Sequence, residues 1–94
     1  MAELSQDFKA SALALLKERL DRMADDTSRD VYFGKRIEQA AAELTGTGIV
    51  LTDEIDDMML VVDYAAWLHA NRDKQEGMPD WLRMRRRERW LRQS

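Results

Sequence analysis

Hydrophobic residues recur along this chain at helical rather than strand spacing. Phe8, Ala12, Leu15, Leu16 and Met23 fall on one stripe, which Leu13 and Leu20 widen, and Lys17, Arg19, Asp21 and Arg22 take the other side. That pattern predicts a first helix over residues 6–23 with Ser5 as its N-cap. Residues 24–27 then connect it to a second helix that starts near Ser28 or Asp30. Phe33, Ile37, Ala40, Ala41 and Leu44 repeat at i, i+4, i+7, i+8 and i+11, and the alanines allow close approach of a neighbouring helix. Gly34 lies inside this pattern and costs about 1 kcal/mol against alanine, so a close neighbour or a bend is expected there. Gly46 and Gly48 supply the stop. Ile49-Val50-Leu51 reads as a short extended link under the helices rather than a sheet strand, because no partner strand is evident.

The third helix is predicted over residues 53–71 with Thr52 as N-cap. Asp53, Glu54, Asp56 and Asp57 crowd its start, where the helix dipole favours anions. Ile55, Met58, Met59, Val62, Ala65 and Ala66 form one stripe, and Leu60, Val61, Tyr64, Trp67 and Leu68 cover much of the rest. Across residues 58–68, Asp63 is the only charged side chain. A helix apolar nearly all round is buried on most sides, and a chain this small is expected to need other copies or another protein to finish that burial. Pro79 suits the first position of a fourth helix reaching to about residue 93. On that helix Trp81, Met84 and Leu91 share a side expected to pack inward, while Trp90 points away among Arg83, Arg86 and Arg87. The expected fold is all-α: three packed helices (core 5–76) and a C-terminal helical arm (79–93), in one domain over residues 1–94.

Composition narrows the function classes. The chain has 94 residues and no cysteine, which excludes a disulfide framework and thiolate zinc sites. No apolar run is long enough to span a bilayer, and the start, Met1-Ala2-Glu3-Leu4, shows neither the basic nor the apolar region of a signal peptide. The net charge of −3 conceals a split. Residues 1–47 carry a net −2, residues 48–78 a net −5 and residues 79–94 a net +4. Such polarity fits charge-guided docking; it also fits a solvated helix end with an acidic neighbour in its own chain.

Chemistry is sparse. One histidine, no cysteine and no glycine-rich phosphate loop leave little for nucleophilic or nucleotide schemes. His69 falls in the last turn of the third helix and reads as a capping or packing residue. Asp53, Asp56 and Asp57 lack the glycine and distal glutamate of a calcium loop, so no metal, cofactor or catalytic residue is expected, and the chain is not read as an enzyme. Asp63 is either exposed on a polar edge or paired across a subunit boundary. Tryptophan and arginine on the fourth helix are the residue types of binding hot spots, and Trp81, Arg83, Arg86, Arg87 and Trp90 are the candidate partner-binding set. The same side chains suit phosphate contact and base stacking, although the acidic chain as a whole argues against a dedicated DNA binder.

The order of elements resembles the small helical head–tail connector (adaptor) proteins of tailed bacteriophages and prophages. The resemblance is carried by the helix pair at residues 13–20 and 31–44, by Thr45-Gly46, and by Leu51-Thr52-Asp53. It continues through Leu60-Val61-Val62-Asp63-Tyr64-Ala65-Ala66-Trp67-Leu68, then Asn71-Arg72-Asp73, and through Met78-Pro79 to Leu82-Arg83. It spans roughly residues 10–83 and rests on order, spacing and size; the run Arg85-Arg86-Arg87-Glu88-Arg89 is more basic than such a family leads one to expect. What it implies is a structural role at the head–tail junction of a virion, after assembly in the bacterial cytoplasm. The chain would form a homo-oligomeric ring under the portal protein, extend the channel through which DNA passes without sequence-specific binding, and offer a platform to a downstream tail-completion protein. A ring needs one face of a subunit to meet a different face of the next, and Asp63, Tyr64, Trp67 and Leu68 are the candidate subunit interface. The acids Asp53, Glu54, Asp56 and Asp57 are the candidate channel lining. The alternative is a small helical nucleic-acid-binding regulator that uses the basic fourth helix. Binding that falls steeply with salt would mark the second reading.

Overall fold

The computed structural model describes residues 5–93; Met1-Ala2-Glu3-Leu4 lie outside them. The described residues are all-helical: α1 (Gln6–Arg19), α2 (Asp30–Gly46), α3 (Ile55–Ala70) and α4 (Asp80–Gln93), with no strand. Helices α1, α2 and α3 pack against one another, and α4 lies on α3. The core joins Phe8, Ala12 and Leu16 of α1 to Phe33, Ile37, Ala40 and Leu44 of α2 and to residues 60–62 and 64–66 of α3. Ile49 from the link and Leu82 from α4 complete it. No helix is long and apolar enough to cross a membrane among these residues.

The central position of α3 accounts for its composition. An all-round apolar helix was expected to require a second chain, but α1, α2 and α4 cover it within this one. The interface assigned to α3 changes accordingly. Tyr64 is buried in the core, while Trp67 and Leu68 are half-buried and packed against it.

Both ends of the α1–α2 pair are fixed by backbone geometry. Helix α1 stops at Arg19, four residues before its expected end. Asp21 takes a left-handed conformation (φ 59°), its N–H donates to the Glu18 carbonyl at 3.1 Å, and the Arg22 N–H donates to the Lys17 carbonyl at 2.7 Å. This pair of bonds is the Schellman closure usually built on glycine; aspartate is among the few other residues that tolerate the conformation. Met23 therefore lies beyond the helix and is exposed. Lys17, expected on the polar side, is buried: its Nζ donates to the Ala24 carbonyl at 3.0 Å and pairs with Asp30 at 3.0 Å, clamping the end of α1 to the start of α2. Helix α2 closes in the same way on Gly48 (φ 100°), with Gly48 N–H to Thr45 and Ile49 N–H to Leu44. Buried Ile49 and Leu44 are the apolar pair that accompanies this motif.

Helix α3 starts two residues later than predicted. Glu54 is its N-cap, without a side-chain bond. Thr52 instead takes its place in a polar knot with Asp57, described below. Ile55, expected on the apolar stripe, is exposed in the first turn. Pro79 sits just before α4 rather than inside it, and its carbonyl accepts from the N–H groups of Leu82 and Arg83.

No close neighbour explains Gly34, since a Cβ built there meets nothing within 4 Å. Gly34→Ala is expected to stabilise the fold by up to about 1 kcal/mol through helix propensity and lower unfolded-state entropy. Urea unfolding of the two proteins side by side measures this.

Candidate partner-binding surface on the C-terminal helix

The basic helix is tied to the acidic helix of the same chain. Asp57 is the third residue of α3 and is only 1% exposed. Its Oδ1 accepts from Arg89 Nε at 2.6 Å and its Oδ2 from Arg89 Nη2 at 3.0 Å. The backbone N–H and hydroxyl of Thr52 each donate to Oδ2 at 2.8 Å. Arg89 also donates to the Val50 carbonyl at 2.7 Å. Gln93 reaches the same segment, accepting from the Val50 N–H at 3.0 Å and donating to the Gly48 carbonyl at 2.6 Å. Burial alone would push the Asp57 carboxyl up. The bonds from Arg89 and Thr52 outweigh it and hold the group below the ordinary aspartate value.

Further contacts run antiparallel along the two helices. Arg92 approaches Asp56 at 3.7 Å. Arg85 pairs with Asp63, which also meets Arg19 of α1 at 3.5 Å. Half-buried Arg86 lies near Tyr64, whose hydroxyl is pushed up by burial and by Glu43 despite that guanidinium. Four of the six arginines of α4 thus face α3, and Leu82 is the only buried residue of α4.

These contacts revise the expected site. Asp57 faces Arg89 rather than a channel, because a carboxylate this deep needs a paired cation. Asp63, expected on a polar edge or paired across a subunit boundary, pairs with Arg85 and Arg19 of its own chain. Arg86 belongs to the attachment of α4 and not to its free face. Trp90 is partly exposed with its indole edge against Gly48, where a Cβ would come within 3.0 Å of Nε1. Asp53, Glu54 and Asp56 remain exposed.

Turning its arginines inward leaves α4 with an outward apolar stripe, the reverse of the expected orientation. Trp81, Met84 and Leu91 are 47%, 59% and 50% exposed. Exposed Arg87 borders this stripe, and Arg83 carries only an ion pair with Asp80 on the same surface. A helix that presents large apolar side chains with peripheral cations can dock on a protein surface of matching apolar and acidic character. Sequence reasoning missed Arg85, Arg89 and Gln93 as the anchors. Their spacing of four along one face of α4, opposite acids six apart on α3 at positions 57 and 63, carried the signal.

No three His, Asp or Glu side chains converge to hold a metal among the described residues. An open groove of about 790 Å³ between α1, the end of α2 and the link is lined by Lys9, Glu38, Ala41, Ala42, Ile49 and Leu51 among others.

Arg89→Ala leaves the Asp57 carboxylate buried without its cation and is expected to cost about 3 kcal/mol, read by urea unfolding at neutral pH. Because the folded-state value of Asp57 is depressed, its contribution is present above the unfolded value near 3.8 and disappears as pH falls through the folded value. The gap between wild type and variant should therefore narrow in strong acid. The chain matches no family model, no curated protein and no solved structure.

Proposed function

We propose that this chain is a structural head–tail connector of a tailed phage or prophage, which docks on the portal protein through the outer face of α4. The observation that carries this reading is the exposed Trp81–Met84 face on a helix whose other side is anchored by the buried Asp57–Arg89 ion pair. A presented, rigid apolar face of this kind is suited to permanent assembly, because little ordering entropy is lost on docking. The order of sequence segments supports the same reading. A ring of such subunits would join copies by unlike faces. The exposed acids Asp53, Glu54 and Asp56 would line a channel that lets DNA slide, and the opposite rim would receive a tail-completion protein.

The arrangement of α4 weighs against its use as a DNA-reading helix. Arg85, Arg86, Arg89 and Arg92 serve contacts within the chain, which leaves Arg83 and Arg87 for an external phosphate.

Co-sedimentation with the portal protein of the same genome tests the proposal. Binding in a fixed stoichiometry is expected, and Trp81→Ala with Met84→Ala should weaken it by at least about tenfold, the loss of a single hot spot. Both side chains are exposed, so the variant should keep its fold. Absence of portal binding by the wild type would sink the connector reading, and full binding by the variant would move the docking face off α4.

A further inference from the structure

A second cationic feature lies at the other end of α3, away from both α4's outer face and the acidic start of α3. Four arginines gather where α1 ends, α2 begins and α3 ends. The Arg29 guanidinium lies 4.5 Å from the Tyr32 ring centroid and 5.4 Å from that of Phe33. Arg36 lies 5.2 Å from the Tyr32 ring, and Arg22 lies 5.8 Å from the Phe33 ring. Arg72 donates to the His69 carbonyl at 2.6 Å. Arg36 Nε donates to the Tyr32 hydroxyl at 3.0 Å, and that hydroxyl lies 3.0 Å from His69 Nδ1.

Five carboxylates lie along the same segments, Asp21, Asp25, Asp26, Asp30 and Asp73, but none makes a close ion pair with Arg22, Arg29 or Arg36 among the described residues. Asp30 is taken by Lys17. Asp26 accepts from Ser28 and reaches Arg22 only through its field. Asp73 meets Arg72 at 3.9 Å in the open. Among the described residues Arg22, Arg29 and Arg36 form no ion pair. The four guanidinium groups also register on His69, which is pushed down by burial and then by Arg72, Arg29, Arg36 and Arg22.

From this juxtaposition of Arg22, Arg29, Arg36 and Arg72 around Tyr32 and His69 we infer a site for the phosphates of a nucleic-acid backbone. The rings are covered by guanidinium groups rather than offered to bases, so contact is with phosphate and independent of sequence. The arginines are held by stacking and hydrogen bonds, pre-set rather than mobile. Arg22 and Arg72 are exposed beside half-buried Arg29 and Arg36, outside any enclosed cavity, which suits a run of phosphates along a duplex better than one enclosed anion. Helix α2 adds an N-terminus with no side-chain cap at the same place. The site lies about 24 Å, the length of α3, from Asp53–Asp57. A protein of net charge −3 can thus hold duplex DNA at one end and repel it at the other. This inference does not rest on the connector reading.

The test uses the full chain and a fluorescent duplex of arbitrary sequence at low salt, with anisotropy followed against salt concentration. Wild type should bind, and Arg22→Gln with Arg72→Gln should weaken binding at least about tenfold and lower the salt slope by roughly two. Circular dichroism checks the fold, since these two side chains are exposed. His69 is the only histidine, so its ring resonance is a second reading on the unmodified protein: duplex should raise its pKa. Failure of the wild type to bind overturns the inference. So does loss of binding in Arg83→Gln with Arg87→Gln but not in the first variant, which would place the DNA on α4. A His69 response to inorganic phosphate equal to that with duplex, charge for charge, would identify a free-anion site and overturn the nucleic-acid assignment.

Discussion

The ion pair between Asp57 and Arg89 organises more of this molecule than any other polar contact. It lies at the start of the central helix, where the backbone dipole already favours an anion. The same carboxylate holds Thr52 of the link, and the same guanidinium holds the Val50 carbonyl. One buried charge pair therefore fixes three things: where α3 begins, how the link leaves α2, and which side of α4 faces inward. That last consequence decides the surface. With its arginines turned toward α3, α4 must show its apolar side chains to solvent.

Helix α2 was the most legible element in the sequence. Its five-residue stripe is buried as its spacing predicts, and Gly48 ends it. The apolar character of α3 was equally plain, but its meaning was not. Composition says that such a helix is covered; it does not say by which chain, and here the cover is intramolecular. Helix α4 was misread because tryptophan and methionine ordinarily go inside and arginine outside. The acids of α3 reverse that preference, and recognising it requires matching residues 22 to 36 positions apart. The early stop of α1 had no local signal either, because Asp21 does what glycine usually does. Lys17 looked like a surface cation for the same reason that Asp57 looked like a surface acid: each is buried only because a distant opposite charge or carbonyl meets it.

The candidate surfaces divide along the length of α3. Acids collect at its start and arginines beyond its end, so the side-chain charges oppose and complement the dipole of the helix. The outer face of α4 is a third, apolar region. The proposed connector role would use all three: the apolar face to adhere to protein, the acids to repel DNA and the arginines to steady it.

Leu82 is the one residue of α4 that reaches the core, while the rest of the helix is held by charge and by backbone caps on the link. Detaching α4 would uncover the place of Leu82 and one face of α3, yet leave the mutual packing of α1, α2 and α3 and the backbone bonds of their Schellman closures in place. In the language of folding, α4 is a unit of its own, one that docks onto a finished core and opens without unfolding it. Its amide hydrogens should exchange through that sub-global opening, which salt and acid promote, while those of α3 wait for the whole domain.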